Sequence, residues 1–262
     1  MTIPIYQVDA FTDRLFSGNP AAVCPLDAWP ADSVLQAIAA ENNLSETAYF
    51  APEGAGFRLR WFTPACEIDL CGHATLASAF ILFTELGHAA QEIRFETQSG
   101  RLVVSRDGDW LRMDFPAWPG RAIEAPEGLA AALGIAPREV RDCGRDLMAV
   151  YDNATAVRAL RPDFRALLAA TKQAVIATAP GEPEFDFVSR FFAPGDGIDE
   201  DPVTGSAHCA LTPYWAERLG KTELVAFQAS GRGGQLRCGL AGDRVQLRGR
   251  AVLYLTGAIT LP

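Results

Sequence analysis

The chain has 262 residues, of which 49% are hydrophobic and 21% are charged, and its formal net charge is −9. This composition is typical of a folded globular protein that is large enough for one big domain or two medium ones. The acidic balance disfavours binding to nucleic acid or to anionic membranes, because no basic cluster offsets it. We expect no membrane span, since the best apolar run covers only residues 74–83.

The first half of the chain is predicted to be mostly strand, with two helices. Apolar alternation and turn residues predict strands over 3–10, 21–24, 44–50, 57–62, 93–95, 102–105 and 110–115. A Gly-Asn-Pro turn follows the first strand, and Asp-Gly-Asp at 107–109 predicts a hairpin. The helix predicted over 31–41 has one apolar face. The helix predicted over 72–86 is apolar on nearly every side, which indicates a helix inside a barrel-like sheet.

The second half begins after a segment rich in proline and glycine, residues 116–126, which predicts a domain boundary. Helices are predicted over 127–133, 163–170 and 205–219, and extended segments over 140–151, 174–178, 185–192, 224–228, 234–238 and 244–248. Pro213 lies inside the last helix and predicts a kink there. Residues 251–261 are long enough to return to the first domain.

One stretch of the sequence occurs twice. Arg-Trp-Phe at 60–62 leads through an acidic loop to Gly72, and Arg-Phe-Phe at 190–192 leads through another to Gly205. Each glycine opens an apolar run that ends at a Leu-Gly pair, and both runs have the same length. The sequence therefore predicts a duplicated unit, in which a strand, an acidic loop, a glycine turn, a helix and a strand follow one another.

The two glycine turns are candidate anion sites. A helix N-terminus has unsatisfied N–H groups and a partial positive charge, and glycine lets a ligand approach the backbone. We predict that the two junctions face each other across one active site and hold a small carboxylate. The polar residues at the junctions are Asp69 and His73 in one copy, and Asp201, Thr204 and Ser206 in the other.

Each of these residues also has an ordinary structural interpretation. Turn glycines, helix caps and inert core thiols are common, and a glutamate such as Glu46 is more often a surface carboxylate. Their occurrence at corresponding positions of a duplicated unit favours the functional interpretation. Other classes of site have no support. The three histidines and six cysteines show no metal-ligand spacing, and the sequence has no P-loop, no G-x-G-x-x-G and no G-x-S-x-G elbow.

Four motifs in order resemble the PhzF family, the phenazine-biosynthesis-like isomerases. They are Asp-Ala-Phe-Thr at 9–12 with Gly-Asn-Pro-Ala-Ala-Val at 18–23, Asn-Leu-Ser-Glu-Thr at 43–47, Cys-Gly-His-Ala-Thr at 71–75, and Glu-Asp-Pro-Val-Thr-Gly-Ser-Ala at 200–207. The resemblance covers the whole chain. It implies an α+β fold of the diaminopimelate-epimerase type, with two similar domains, each a curved β-barrel-like sheet around a central helix. The domains are predicted over 1–115 plus 250–262 and over 116–249, with the active site in the cleft between them.

The resemblance also implies roles for individual residues. Glu46 would be the acid/base, assisted by His73, Asp201 and Ser206. Substrate-binding positions on the motifs are Asn19, Ser45, Cys71, Gly72, Thr204 and Gly205. The family uses no cofactor and usually forms homodimers, so we expect neither a cofactor nor a metal, and we expect a homodimer. Six cysteines without a C-x-x-C pair or a secretory signal indicate reduced thiols in the cytoplasm.

Two alternatives to this function stay open. Racemases of the wider fold carry a thiol just before each junction glycine, whereas this chain has Cys71 and Thr204 there. A symmetric two-thiol racemase is disfavoured, but an epimerase or dehydratase that depends on Cys71 alone is an alternative. A non-catalytic small-molecule-binding protein is the other, since it would keep the helix ends and not need Glu46. The substrate is not indicated, because the chemistry of a site is not fixed by its fold.

Overall fold

The computed structural model describes residues 2–261 and divides into two compact units, Met1–Asp114 with Arg248–Pro262, and Phe115–Leu247. The strands are β1 Thr2–Ala10, β2 Asn19–Pro25, β3 Glu46–Glu53, β4 Gly56–Phe62, β5 Glu67–Ile68, β6 Glu92–Thr97, β7 Gly100–Asp107, β8 Trp110–Pro116, β9 Arg121–Ile123, β10 Glu139–Asp142, β11 Asp146–Val150, β12 Ala174–Pro180, β13 Phe187–Ala193, β14 Ile198–Asp201, β15 Glu223–Gln228, β16 Gly234–Ala241, β17 Arg244–Gly249 and β18 Ala251–Thr260. The α-helices are α1 Asp32–Asn42, α2 Gly72–Thr84, α3 Leu129–Leu133, α4 Ala154–Ala159, α5 Phe164–Ala170 and α6 Gly205–Leu219, and Pro194–Asp196 forms a 3-10 turn.

The first unit packs one sheet against α2. Its strands pair in the order β18, β1, β2, β3, β4, β6, β7 and β8, where β2–β3 and β4–β6 are parallel and the other pairs antiparallel. Parallel neighbours need a crossover connection, and α1 and α2 supply the two crossovers. Strands β1, β2, β3 and β18 contact α2, which is buried at nearly every position. The prediction of a helix buried inside the sheet is therefore confirmed. Helix α1 packs with β3 and β4, where Leu35, Ile38, Tyr49 and Phe62 share one core.

The second unit repeats this pairing scheme. Antiparallel β10–β11, parallel β11–β12, antiparallel β12–β13, parallel β13–β15 and antiparallel β15–β16 follow the order seen from β1 to β7. Helices α4 and α5 lie in the first crossover and α6 in the second. The short strands β5 and β14 pair with β4 and β13, each just before the second crossover helix. The duplication seen in the sequence is thus a duplication of strand pairing.

The shared register shows which residues correspond between the units. Glu46 is the first residue of β3, and Ala174 is the first residue of β12. In each unit the next residue of the strand faces a phenylalanine of the following strand, Phe62 or Phe192. Ala174 therefore takes the place of Glu46 in the second unit. The candidate acid/base lies at a duplicated position, and its partner copy lacks a titratable side chain.

Helix α6 contains the predicted proline and still runs from Gly205 to Leu219 as one helix. Pro213 has no N–H to offer the carbonyl of Cys209, one turn earlier. The backbone N–H of Trp118 donates to that carbonyl instead, at 2.9 Å. A segment outside the helix therefore satisfies the acceptor that the proline leaves open.

Several predicted elements differ from the observed ones. Helix α2 ends at Thr84 and not at 86, and α3 begins at Leu129 and not at 127. The sequence pattern missed α4, the 3-10 turn and the short strands β5, β9 and β14, because two to six residues are too few to show a period. One local signal for α4 was present: the side chain of Asn153 accepts a hydrogen bond from the Ala156 N–H as an N-cap.

Across residues 2–261, every helix falls short of the length or the hydropathy that a membrane crossing would need.

Candidate active site

Glu46 and His73 form a buried acid–base pair in the first unit. Glu46 begins β3 and His73 is the second residue of α2, and the residues are 8% and 5% exposed. Glu46 Oε2 lies 3.0 Å from His73 Nε2. The contact has ion-pair distance but not the angle of a directed hydrogen bond, so within the described chain both atoms keep unused hydrogen-bonding capacity. Buried polar atoms usually have their partners, and unsatisfied ones are a recognised feature of catalytic sites.

The other nitrogen of the imidazole contacts Asn19 and Cys71. Asn19 Nδ2 lies 3.1 Å from His73 Nδ1, and Cys71 Sγ lies 3.5 Å from the same atom. Asn19 is fully buried at the start of β2. Its amide can present a donor or, after rotation, an acceptor, so it can serve both the neutral and the protonated ring.

The residue before Asn19, Gly18, forms a turn that requires glycine. Its φ is +67°, and a Cβ at that position would lie 2.1 Å from the carbonyl oxygen of Ala10. Only glycine fits such a turn. The turn lets Asn19 pair with Ala10 and enter β2, which packs against α2. The Gly-Asn-Pro motif is thus the means by which Asn19 reaches His73.

The electrostatics of the pair favour a charged imidazole. Burial by itself lowers the pKa of His73, but the adjacent Cys71 and Glu46 raise it, and the net pKa lies well above the ordinary value. Burial raises the pKa of the Cys71 thiol to about 11, and the Glu46 carboxylate acts in the same direction. The thiol of Cys71 is therefore neutral at neutral pH, and the adjacent Glu46 carboxylate is the charge that favours an imidazolium at His73.

Glu46, Cys71 and His73 are also three metal-ligating residue types, and their ligand atoms lie within 4.8 Å of one another. Two features do not fit a metal site. Cys71 faces Nδ1 while Glu46 faces Nε2, so the two do not converge on one ring nitrogen. A metal-bound cysteine is a thiolate, whereas burial holds this thiol protonated. The imidazole thus lies between the two groups, with Cys71 at Nδ1 and Glu46 at Nε2.

The second unit carries a different polar group at the corresponding junction. The Thr204 hydroxyl donates to Asp201 Oδ2, and the Thr204 N–H donates to Gln228 Oε1 at 2.8 Å. Gln228 Nε2 donates to the Asp201 carbonyl at 2.8 Å and to Thr204 Oγ1 at 3.1 Å. Because Gln228 occupies an acceptor site of the hydroxyl, the hydroxyl proton points to Asp201. Gln228 was missed by the sequence reasoning, although it is fully buried and closes the loop before α6.

The two helix N-termini are built alike. Cys71 and Thr204 are extended N-cap residues, and neither side chain makes a capping hydrogen bond. One turn further on, a side chain donates back to the N-cap carbonyl in each unit. Thr75 Oγ1 does so at 2.5 Å to Cys71, and His208 Nδ1 at 2.8 Å to Thr204. Burial lowers the pKa of His208 to about 4, so His208 is neutral at neutral pH and Nδ1 is the donor.

An arginine–glutamate fork holds the acidic loop of each unit. Arg60 donates from Nε and Nη2 to Glu67, both at 2.7 Å, and Arg190 donates from the same atoms to Glu200, both at 2.8 Å. Each guanidinium also lies over the phenylalanine two residues later in its strand, with the ring centroid 5.1 Å and 4.8 Å away, respectively. The sequence signal was available, because the arginine, the phenylalanine and the glutamate all recur in the duplicated stretch.

The predicted site residues fall into two groups. The first unit holds Asn19, Ser45, Glu46, Cys71, Gly72 and His73, and the second holds Asp201, Thr204, Gly205 and Ser206. Asn19, Cys71 and His73 are in direct contact with one another or with Glu46. Thr204 and Asp201 are hydrogen-bonded, and Gly205 and Ser206 are the first two residues of α6. Ser45 and Ser206 are half-buried, and Asp69 is exposed.

The duplicated arrangement of strands and helices is an α+β fold of the diaminopimelate-epimerase-like kind. A crystallised hydroxyproline epimerase of Agrobacterium vitis shares this fold, with a TM-score of 0.59 at 12% identity, over 98% of this chain and 92% of that one. The family model for phenazine biosynthesis-like proteins, PhzC-PhzF, matches residues 8–257. The chain belongs to this family.

Relatives within the family are similar over their full length. A Pseudomonas aeruginosa protein that is named an uncharacterized isomerase is 53% identical over 261 residues, which covers 100% of both chains. The crystal structure of a PhzF family protein from Enterococcus faecalis matches with a TM-score of 0.97 at 47% identity and covers 100% of both chains. The family and fold expected from the four motifs are therefore confirmed.

Proposed function

We propose that the protein is a cofactor-independent isomerase that moves a proton between two carbon atoms of a small carboxylate-bearing metabolite, with Glu46 as the acid/base. The observation that carries the proposal is the buried contact between Glu46 and His73, whose facing atoms lie 3.0 Å apart. The names of the relatives, which include isomerases, support the reaction class.

The proposed reaction is a 1,3-shift of a double bond. The Glu46 carboxylate removes a proton from a carbon next to the conjugated system, and the electron pair of that C–H bond delocalises towards the substrate carboxylate. The proton then returns from Glu46 to a carbon two positions away, where a new C–H bond forms. No electrons are gained or lost, so the step needs no redox partner. General acid–base catalysis of this kind contributes roughly 10²–10⁴-fold in rate.

His73 would assist Glu46 both when the proton is removed and when it is returned. An imidazolium at His73 would attract the Glu46 carboxylate, because the two opposite charges would lie in a buried site. The first N–H groups of α2, at Gly72 and His73, would hold the negative charge that develops on the substrate oxygen. Asn19 and Cys71 would keep the ring oriented through Nδ1.

The roles of the second unit stay predictions from the family resemblance. Asp201 and Ser206 would assist the proton transfer, and Thr204 and Gly205 would bind the substrate. The hydrogen bonds from Thr204 and Gln228 that fix this loop support a positioning role for it. The six free cysteines support the predicted cytoplasmic location, since thiols persist in a reducing compartment.

Exchange of Glu46 for glutamine tests the proposal. A panel of small carboxylates with a β,γ-double bond, followed by NMR, would identify a substrate. We expect Glu46→Gln to lower turnover on that substrate by roughly 10²–10⁴-fold with the fold intact. Glu53→Gln changes an exposed carboxylate on the same strand and should leave turnover unchanged. Full activity of Glu46→Gln would refute the role of Glu46 as the acid/base. A wild-type protein that binds a carboxylate without turning it over, and with the same affinity as Glu46→Gln, would be a binding protein.

A Cys71-dependent epimerase or dehydratase is the second candidate, because Cys71 Sγ lies 3.5 Å from His73 Nδ1. A base at Cys71 would have to be a thiolate. Burial raises the pKa of this thiol to about 11, so the thiolate is a minor form at neutral pH. The protonated state of the Cys71 thiol therefore supports Glu46 over Cys71 as the base.

A further inference from the structure

Trp61 has a buried indole N–H without an acceptor in the described chain. The residue lies in β4 and is 1% exposed. Its Nε1 atom only donates hydrogen bonds, and it has no hydrogen-bond partner among residues 2–261. Buried polar atoms are nearly always paired with protein, water or a ligand, because an unpaired one destabilises the fold. This N–H therefore requires an acceptor that the described chain does not supply.

The strand register places the ring of Trp61 on the same side of the sheet as Glu46. Tyr49 and Phe62 belong to the core that β3 and β4 share with α1. Successive side chains of a strand point to opposite faces, so Ala48 and Trp61, which pair across β3 and β4, point away from that core. Glu46 is two residues before Ala48 and points the same way, towards the first turn of α2.

Trp61 lies between the two chain segments that form the first helix junction. On one side it pairs with Ala48, two residues after Glu46, and on the other with Ile68, three residues before the N-cap residue Cys71. Diagonal neighbours across a strand pair are about 7–8 Å apart, a distance that long and aromatic side chains can span. A ligand that contacts Glu46 is therefore within reach of the indole ring.

The indole N–H is present only in the unit that holds the acid–base pair. Glu46 Oε2 and His73 Nε2 are also buried without a hydrogen-bond partner in the part of the chain that the structure describes. In the second unit Phe191 takes the position of Trp61, because it pairs with the strand residue two places after Ala174. Core packing accounts for an aromatic ring at this position in both units. It does not account for a donor beside Glu46 alone.

We propose that the indole N–H of Trp61 donates to an oxygen of the substrate and selects carboxylates that carry a second oxygen acceptor, a carbonyl or a hydroxyl. The inference rests on the proposed function, which assigns the substrate carboxylate to the helix N-termini and the reacting carbon to Glu46. Since Nε1 only donates, an ammonium or amide N–H of a ligand would place two donors face to face. A site that hydrogen-bonds one group of a substrate rejects analogues that lack this group.

NMR of the indole N–H groups tests this contact by binding and not by turnover. The chain has five tryptophans, and the ¹⁵N-indole signal that is absent from Trp61→Phe identifies Trp61. The probes are butanoate and its 2-oxo, 2-hydroxy and 3-hydroxy derivatives at millimolar concentrations. We expect an oxygen-bearing probe to shift the Trp61 signal downfield and butanoate to leave it nearly unchanged. The shift should persist in Glu46→Gln, so a failure of the acid/base role is distinguishable from a failure of this contact.

Two variants separate the N–H from the ring. Trp61→Phe copies the residue of the second unit, and β-(3-benzothienyl)alanine at position 61 keeps the bicyclic shape but has sulfur in place of the N–H. In ligand-observed NMR we expect each variant to raise the dissociation constant of the oxygen-bearing probe about tenfold, and that of butanoate about threefold or less. Trp215→Phe is the control. It removes an indole N–H that donates to Thr178 and should leave both constants unchanged.

Two results would overturn the proposal. One is a Trp61 signal that none of the probes shifts, which would leave water as the acceptor of the N–H. The other is an equal loss of affinity for all probes in both variants, because a general loss of packing does not depend on the second oxygen. Thermal unfolding shows whether each variant is folded. If Trp61→Phe unfolds, the protein with benzothienylalanine provides the test.

Discussion

The first turns of α2 and α6 have the same backbone arrangement but different side chains. Both follow an extended N-cap residue, and in both a serine hydroxyl holds the loop two residues before the cap. Ser99 donates to the Asp69 carbonyl at 2.9 Å, and Ser230 donates to the Pro202 carbonyl at 2.8 Å. The chemistry differs because the first unit has Glu46 beside His73, whereas the second has Ala174 and Ser206 at those positions. The backbone of the helix N-terminus is thus duplicated, whereas the pair of Glu46 and His73 lies in the first unit alone among the described residues.

Making the first junction more like the second should have the largest effect after the exchange of Glu46. His73→Ser gives α2 the residue that α6 has at this position and removes the imidazolium beside Glu46. We expect turnover to fall by roughly 100-fold, within the usual range for a lost acid–base partner. His208→Asn provides the comparison in the second unit and should change turnover far less. Equal losses in the two variants would contradict an asymmetric site.

The pKa values of the two buried histidines should be shifted in opposite directions. His73 has a raised pKa, so it should remain protonated above pH 6.5 in an NMR titration, whereas His208 should stay neutral down to about pH 4. The stabilisation from the charged His73 is present below its unfolded pKa and is lost as the pH rises through the folded pKa. A ring signal of His73 that titrates near or below pH 6.5 would contradict the proposed ion pair.

His208 acts on stability with the opposite sign. In the unfolded chain His208 is protonated below about pH 6.5, whereas in the folded chain its pKa is about 4. Acidification between these values therefore favours unfolding. The difference corresponds to roughly 3 kcal/mol of unfolding free energy. Urea unfolding at pH 6.5 and pH 4 should show that loss in the wild type, and His208→Asn should remove most of it. The same loss in His208→Asn would assign it to other groups.

Exchange of the arginine in each arginine–glutamate fork for lysine compares how much the two forks contribute to stability. Arg190 also donates from Nη1 to the carbonyls of Val157 and Leu160, at 3.3 Å and 2.8 Å, and its side chain is 10% exposed. Arg60 bonds to the exposed carboxylate of Asp32 instead. Lysine cannot reproduce a planar fork. We expect Arg190→Lys to lower the unfolding free energy by about 2–3 kcal/mol and Arg60→Lys by about 1 kcal/mol. Equal losses in urea unfolding would show that the carbonyl contacts of Arg190 add nothing.

Cys71 should have the smallest effect. Cys71→Ser keeps a small side chain at the N-cap and removes the thiol, and we expect turnover to stay within about threefold because the thiol is neutral at the working pH. Iodoacetamide should react with the exposed Cys66 and spare the buried Cys71. Loss of turnover by orders of magnitude in Cys71→Ser would favour the epimerase or dehydratase.

Much of this comparison could be predicted from the sequence, because local patterns determine it. The all-apolar run of α2, the Asp-Gly-Asp hairpin and the four family motifs are local signals. The sequence analysis missed Gln228. When the two copies are aligned at Phe95 and Phe227, the residue that corresponds to Gln228 is Glu96. The strand register places Thr97 there. Only the pairing of β4 with β6 and of β13 with β15 shows the shift by one residue.

The contacts of the acid–base pair were also beyond the sequence. Glu46 and His73 are separated by two strands and a loop, and their approach depends on how α2 crosses the sheet. The motifs named both residues, but no spacing rule gives the distance between their side chains. The exposure of β18 was not predicted, because its apolar residue pattern is also typical of a buried strand.

Exchange of solvent deuterium into the substrate tests the role of Glu46 most directly. The substrate and product would be incubated with the protein in D₂O, and deuterium at the two reacting carbons would be measured by NMR and mass spectrometry. Where the proton on Glu46 exchanges with solvent before it returns to carbon, we expect deuterium at these carbons with the wild type and Glu53→Gln, and a rate lower by roughly 10²–10⁴-fold with Glu46→Gln. Exchange at the wild-type rate in Glu46→Gln would show that another base moves the proton.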